Sequence, residues 1–303
     1  MKDEFNDINK KRQNAKASPA KKKVRISNKS DKPDNVVLKE LEIEEECREI
    51  ERELPSFMRG FFAYLRSSLL PMSRLAYLHD VRFFMRYLTE ETELTQASDI
   101  KGITVEEMNK IRGVDINIFM DYCRHYRVEE QEVIHVYTNS NRSLARKKSS
   151  LSVMFKYLYR EGSISKNITD QFDPIRVQSQ SEREIKAMQD DEVMVMLDAV
   201  STGEHLTKKE RQYWEKTKKR DKAILILFLT YGLRLSELQQ LNVSSFNFSR
   251  GEFKIYRKRG KESLMPLNNR TVLKALDEYI NEERGQEKHI IAKGDEDALF
   301  LSL

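Results

Sequence analysis

The sequence predicts a mainly helical protein with a small β-hairpin in its second half, and three observations carry that expectation. Apolar residues recur at helical spacing from Leu54 to Arg160. Two short apolar runs, Phe253–Tyr256 and Leu264–Leu267, flank a basic turn that contains Gly260, which is the pattern of a hairpin. Between these halves, residues 171–184 are polar, with Pro174 and a Gln/Ser-rich patch, as in an inter-domain linker. The 303 residues suffice for two compact domains, and a net charge of +5 with 34% charged residues favours polyanionic partners. The longest apolar run, Ala223–Leu229, is far short of the roughly 18–20 residues that span a bilayer, so no membrane role is expected. Cys47 and Cys123 are too few and too far apart for a disulfide framework or a zinc site, and Met1–Glu4 opens no secretory leader; the expected compartment is the cytoplasm.

In chain order, residues 1–35 are polar, with a basic cluster at Lys21–Arg25, and cannot bury enough surface to fold. They are expected to be a disordered tail, either solubilising or DNA-contacting. Residues 36–53 set Leu41, Ile43 and Ile50 among many glutamates and read as an acidic helical connector that repels phosphate. Residues 54–170 read as a helical domain. Pro55 opens its first helix, with Phe57, Phe61, Phe62, Tyr64 and Leu65 inward, and Pro71 starts the second. Thr104 and Glu107 form a capping box, and a helix over 115–126 turns Ile118, Phe119 and Tyr122 inward. In the helix from Asn139 to Arg160, Leu144, Leu151, Phe155 and Leu158 share one side. Arg142, Arg146, Ser149 and Ser150 fall opposite, a basic, hydroxyl-bearing face suited to phosphates in a groove.

Residues 185–303 form the second expected domain. Asp190 or Asp191 caps a helix over 192–200 with Val193, Met196 and Leu197 inward, and the excursion 201–219 holds Trp214 as a packing anchor. Ala223–Leu229 is a buried helix that Tyr231-Gly232 ends; Arg234 follows directly, then a short helix over 235–241. An arginine at such a junction has a fixed backbone, so its planar fork can be aimed, and phosphate is its natural target. A lysine at the hairpin tip, within Arg257-Lys258-Arg259-Gly260-Lys261, is a mobile charge and proton donor; together the two imply phosphoryl chemistry. Asn268-Asn269 cap a last helix over 270–284 that Gly285 stops, with Tyr279 in its core.

Thr230-Tyr231-Gly232-Leu233-Arg234-Leu235-Ser236-Glu237-Leu238, followed by a basic hairpin closing on Met265-Pro266-Leu267, resembles the tyrosine recombinases, the phage integrases and Xer-type resolvases. The resemblance covers roughly residues 54–303 and implies a helical core-binding domain followed by the N-terminal half of a mixed α/β catalytic domain. It implies that Arg234 is the first active-site arginine, Glu237 its acidic companion, and Lys258 the general acid for the leaving 5′ oxygen. Lys261 is the lesser candidate for that acid and an expected DNA contact. Ser143–Arg146 matches the family helix that faces DNA, so Arg142, Ser143, Arg146 and Ser149 are the expected contacts there, although Ile168 stands where the family's Asn-Pro would end the domain. The implied partners are double-stranded DNA and other protomers on it; the implied chemistry needs no metal or nucleotide cofactor. The family also uses a later His-x-x-Arg and a tyrosine nucleophile. His289 is followed by Ala292 at that spacing, and Ala298–Leu303 resembles the strand before the missing helix. The expectation is a recombinase chain that ends within its catalytic domain and does not cleave DNA alone, or else a non-catalytic DNA-binding competitor.

Overall fold

Two hydrophobic clusters organise the chain in a computed structural model that describes residues 34–130, 133–179, 187–257, 261–285, 291 and 295–302. Most of the expected N-terminal tail, the middle of the linker, Lys258 and His289 lie outside the described residues.

The first cluster runs from Ile43 to Phe172. Helix α1 (Asp34–Glu53), the expected acidic connector, packs into it, because Ile43, Cys47 and Ile50 are buried on one side. Its carboxylates meet arginines of α3: Glu44 pairs with the buried Arg74, and Glu53 with Arg82 at 3.1 Å and Arg86 at 3.6 Å. A 3-10 turn after Pro55 leads into α2 (Arg59–Ser68), and Pro71 occupies the first turn of α3 (Pro71–Glu90), where its missing N–H costs nothing. The capping box at α4 (Val105–Lys110) forms as expected. Glu107 there accepts from Gln96 N at 2.7 Å and Thr104 N at 2.9 Å, and these backbone donors hold its carboxyl at about 2.

Helix α5 (Gly113–Tyr122) ends earlier than expected, and its inward set is Ile116, Phe119 and Met120. Ile118 is 54% exposed, correcting its inward assignment: the residues three and four apart from Ile116 are Phe119 and Met120. The chain then forms a hairpin that helical periodicity did not indicate, β1 (His125–Glu130) and β2 (Val133–Thr138), in register from His125↔Thr138 to Glu130↔Val133. The β-branched run Val133-Ile134-His135-Val136-Tyr137-Thr138 favours it. Helix α6 (Asn141–Arg160) follows, and Phe172 and Ile175 continue the packing into the region expected to be linker.

The second cluster joins α7 (Asp190–Thr202), α8 (Lys208–Tyr231), α9 (Leu235–Gln239), the antiparallel sheet β3-β4-β5 (Phe246–Asn247, Glu252–Arg257, Lys261–Pro266) and α10 (Arg270–Glu282). The cap of α7 is Gln189 rather than an aspartate. Helix α8 is continuous through most of the expected excursion and docks on α10, whose end supplies Glu283 to the N–H groups of Lys219 and Arg220 at 2.9 and 3.1 Å. Tyr279 is fully buried and its hydroxyl accepts from Leu301 N at 3.1 Å, which is core packing. The segment after α9 bridges Asn242 to Ala298. Among the described residues, no helix is long and apolar enough to cross a membrane.

Trp214 anchors α7 to α8, donating from Nε1 to Val200 O at 2.7 Å. It lies against Gly203, whose φ of +65° ends α7 and where an added Cβ would come within 2.9 Å of the indole. Gly203→Ala should therefore lower stability by more than the roughly 1–2 kcal/mol of a left-handed L-residue and shift the emission of the sole tryptophan. Gly232→Ala, at φ +58° with nothing within 4 Å of its Cβ, should cost about 1–2 kcal/mol in urea unfolding and leave the emission unchanged.

Candidate functional site

The end of α8 sets up the first group of candidate residues. Gly232 closes the helix in the left-handed region, its N–H donating to Phe228 O at 2.9 Å, and Leu233 is buried behind it. Arg234 then sits in extended conformation as the N-cap of α9 (φ −77°, ψ 152°). Glu237, three residues on, accepts from Arg234 N at 2.9 Å and from Arg234 Nη1 at 2.8 Å. The carboxylate is buried, whereas the arginine side chain is 65% exposed. Burial pushes the Glu237 carboxyl up, but the Arg234 N–H, its guanidinium and the more distant charge of Arg257 outweigh burial and hold it below the usual range. The buried partner therefore stays charged and grips one corner of the guanidinium. The remaining donors of the five-N–H fork face solvent, pre-oriented for an oxyanion.

The hairpin is tied to this junction by Tyr231, which donates from its hydroxyl to Pro266 O at 2.9 Å and packs edge-on against Phe253 at 4.9 Å. Lys261 opens β5 opposite Arg257 and is exposed. Lys258 lies in the tip outside the described residues. Sequence reading left Arg257 without a role, yet period-two alternation was enough to place it: Phe253 and Ile255 are buried, so Arg257 shares their face and reaches the field of Glu237.

The second group lies on α6. Ser140 caps the helix and accepts from Ser143 N. Arg142 is exposed and makes no hydrogen bond or ion pair among the described residues. Ser143 Oγ donates to Asn139 Oδ1 at 2.9 Å, and Ser149 Oγ to Ala145 O at 2.9 Å. Arg146 pairs with the buried Asp80 of α3 and donates to Ala76 O at 3.1 Å, while Lys147 reaches Asp80 at 3.2 Å. Ser150 is fully buried and donates to Asp80 Oδ2 at 2.7 Å, which corrects its place on the outward face. A helical wheel assigns it by polarity, but a buried carboxylate across the helix pair recruits it. The outward face is thus narrower than the sequence implied. No hydrogen bond or ion pair joins these α6 residues to Arg234 or Glu237 among the described residues.

Comparison with known proteins places these features in context. The phage integrase family matches residues 186–303. The tyrosine recombinase XerC of Roseiflexus sp. (strain RS-1) is 26% identical over 238 residues, covering 73% of this chain and 67% of that protein. The XerC of Roseiflexus castenholzii is 28% identical over 163 residues, 53% of this chain and 46% of that protein. Tyrosine recombinase XerS of Streptococcus pyogenes serotype M1 is 27% identical over 203 residues, 61% of this chain and 55% of that protein. The chain thus spans about half the length of two of these relatives and about two thirds of the other. Among solved structures, the XerH site-specific recombinase bound to palindromic difH substrate, a post-cleavage complex, shares the fold with a TM-score of 0.51 at 16% identity, over 91% of this chain and 68% of that one.

The lowered Glu237 carboxyl has a consequence for stability. Its contribution is fully present above the ordinary value near 4.5 and is lost as pH falls through its lower folded value. In urea unfolding over a pH series, Glu237→Gln should flatten the acid limb below about pH 4.5 and cost about 1.5–3 kcal/mol at neutral pH, the range for a hydrogen bond to a charged group. An acid limb identical to that of the unsubstituted protein would remove Glu237 as the anchor of Arg234.

Proposed function

We propose that this chain, which is similar to the phage integrase family over residues 186–303 and to Xer tyrosine recombinases, serves site-specific DNA recombination, with Arg234 as a phosphate-binding arginine and α6 as a duplex-contacting helix. The observation that carries this reading is the Arg234–Glu237 pair: a buried carboxylate holds a largely exposed guanidinium at the start of a helix, beside a basic hairpin. In strand transfer a nucleophilic hydroxyl attacks the scissile phosphorus, the P–O bond to the 5′ oxygen breaks, and negative charge grows on the non-bridging oxygens. Arg234 stabilises that charge electrostatically, Glu237 keeps its fork in place, and Lys258 protonates the leaving 5′ oxygen. The duplex is held by phosphate contacts from Arg142 and the free edge of Arg146, with Ser143, Ser149 and Lys261 adding polar contacts.

The polypeptide 1–303 has no His-x-x-Arg after Lys258, and the one tyrosine in that stretch, Tyr279, is buried against the Leu301 N–H. Tyr279 is thus a core residue rather than the nucleophile of this reaction. A nicked suicide duplex should trap no adduct with residues 1–303. Fusion to a segment carrying a His-x-x-Arg helix and a tyrosine from a tyrosine recombinase should restore one, and Arg234→Ala in that fusion should cut its rate by roughly two to three orders of magnitude. An adduct formed by residues 1–303 alone would refute the exclusion of a nucleophile within this stretch.

DNA binding is tested separately by fluorescence anisotropy across a salt series. Arg142→Ala should reduce the slope of log affinity against log salt by about 0.9, one phosphate contact. Arg146→Ala should weaken binding and also destabilise the fold, because it strips a partner from Asp80. A salt slope unchanged in Arg142→Ala would return α6 to an ordinary solvated surface.

A further inference from the structure

A cavity of about 540 Å³ opens where the end of α1, the turn after Pro55 and the start of α2 meet. Arg48, Arg52, Arg59, Arg66 and Lys101 line it with Glu51, over a floor that includes Phe62. The charges do not cancel. Arg66 is held by Glu51 at 2.6 Å, while Arg48 and Arg52 share one exposed carboxylate, Glu45, at 3.6 and 3.3 Å. Arg59 makes no side-chain hydrogen bond or ion pair among the described residues. It also stands at the first residue of α2, where the helix dipole disfavours a cation, and that first turn contains no acidic residue. Lys101 borders a neighbouring recess that includes Glu53, Glu90 and Asp99, so the uncompensated charge rests on the arginines. Like charges gathered round a concavity, one of them against the helix dipole, are relieved by a bound anion. Arginine forks suit tetrahedral oxyanions of phosphate.

This cavity is remote from the α6 face. On α3, at 100° per residue, Arg74, Arg82 and Arg86 point to α1, whereas Ala76, Asp80 and Phe84 point to the other side, where α6 packs. Glu44 meets Arg74 and Glu53 meets Arg86, while Arg146 meets Asp80 and Phe155 meets Phe84, so all three helices run in the same sense. Arg142 therefore lies near the start of α3 and Arg52 level with its later half. The C-terminal end of α6 packs on α2 through Tyr157, against Gly60 and Phe61, so Arg142 is separated from that end by fifteen residues of helix, about 22 Å at 1.5 Å per residue.

We propose that the arginine-lined cavity between α1 and α2 is a second anion site, which takes a phosphate group independently of the α6 surface. The phosphate can come from a nucleic-acid backbone other than the duplex on α6 or from a free phosphorylated compound, and the test separates these sources. Calorimetric titration of residues 1–303 with tripolyphosphate, and with a 16-base-pair duplex at low salt, is compared with the double variant Arg52→Ala/Arg59→Ala and with Arg142→Ala. Both altered positions of the double variant are exposed, and an unchanged urea midpoint verifies its fold. One tripolyphosphate should bind per chain, at least about tenfold more weakly in the double variant, as expected for lost charge-assisted bonds, and unaltered in Arg142→Ala. If a second duplex equivalent is also lost in the double variant, the source is a nucleic-acid backbone; if only tripolyphosphate responds, it is a free phosphorylated compound. Tripolyphosphate that binds equally to the double variant, or a poly-glutamate peptide that binds where neither phosphate probe does, overturns the proposal. Failure here leaves the α6 and Arg234 readings intact, because those are read from the salt slope and the covalent adduct.

Discussion

A buried carboxylate beneath a solvent-facing arginine is the device on which both candidate surfaces depend. A guanidinium on a flexible stem loses considerable rotamer freedom when it is aimed, and an exposed ion pair returns little of that cost. Burying the acid changes the balance, because the carboxylate is fixed by packing before the arginine arrives. Glu237 is fixed by the first turn of α9 and Asp80 by the interior of α3 against α6. In each case only part of the guanidinium is consumed, since Arg234 and Arg146 keep 65% and 43% of their side chains exposed. The acid alone would be costly in such a site. With Ser150 and Lys147 added at Asp80, and the Arg234 N–H at Glu237, each buried carboxylate is met by several donors.

What the sequence made legible follows from the range of the interactions involved. Three helix ends were readable because their causes are local: the left-handed Gly232, the Thr104–Glu107 box and Pro71 each act within one turn. The β4–β5 hairpin was readable because its two apolar runs flank their own turn, and the short β3 was missed because two residues carry no period. The β1–β2 hairpin was not readable because it is recognised only when His125 and Thr138 are paired; both sides of β2 are exposed, so burial imprints no alternation on it. Ser150 was misjudged and the partner of Arg146 was not foreseen, since the feature that draws one inward and pins the other is Asp80, 70 and 66 residues earlier. A helical wheel sees one helix and cannot see its neighbour's charge.

The acidic α1 shows the same limit and a further consequence. Its glutamates suggested a connector that repels phosphate; they neutralise Arg74, Arg82 and Arg86 of α3 while Ile43, Cys47 and Ile50 fill the core beneath. By occupying the arginines of α3, α1 takes them out of the positive surface and leaves the arginines of α6 and of its own C-terminal rim facing solvent. At its other end, Asn35 donates to Gln240 O at 3.4 Å and to Asn242 Oδ1 at 3.3 Å, just after the helix that Arg234 caps. A 20-residue helix is about 30 Å long, so α1 reaches from the loop beside one candidate surface to the core beneath the other. Its attachments differ in kind: several buried apolar side chains and ion pairs at the α3 side, and at the other end the buried Val36 with two long hydrogen bonds from Asn35, each worth about 1 kcal/mol at most. If the two clusters separate to admit a ligand, the Asn35 contact is the one that gives, and α1 leaves with the first cluster.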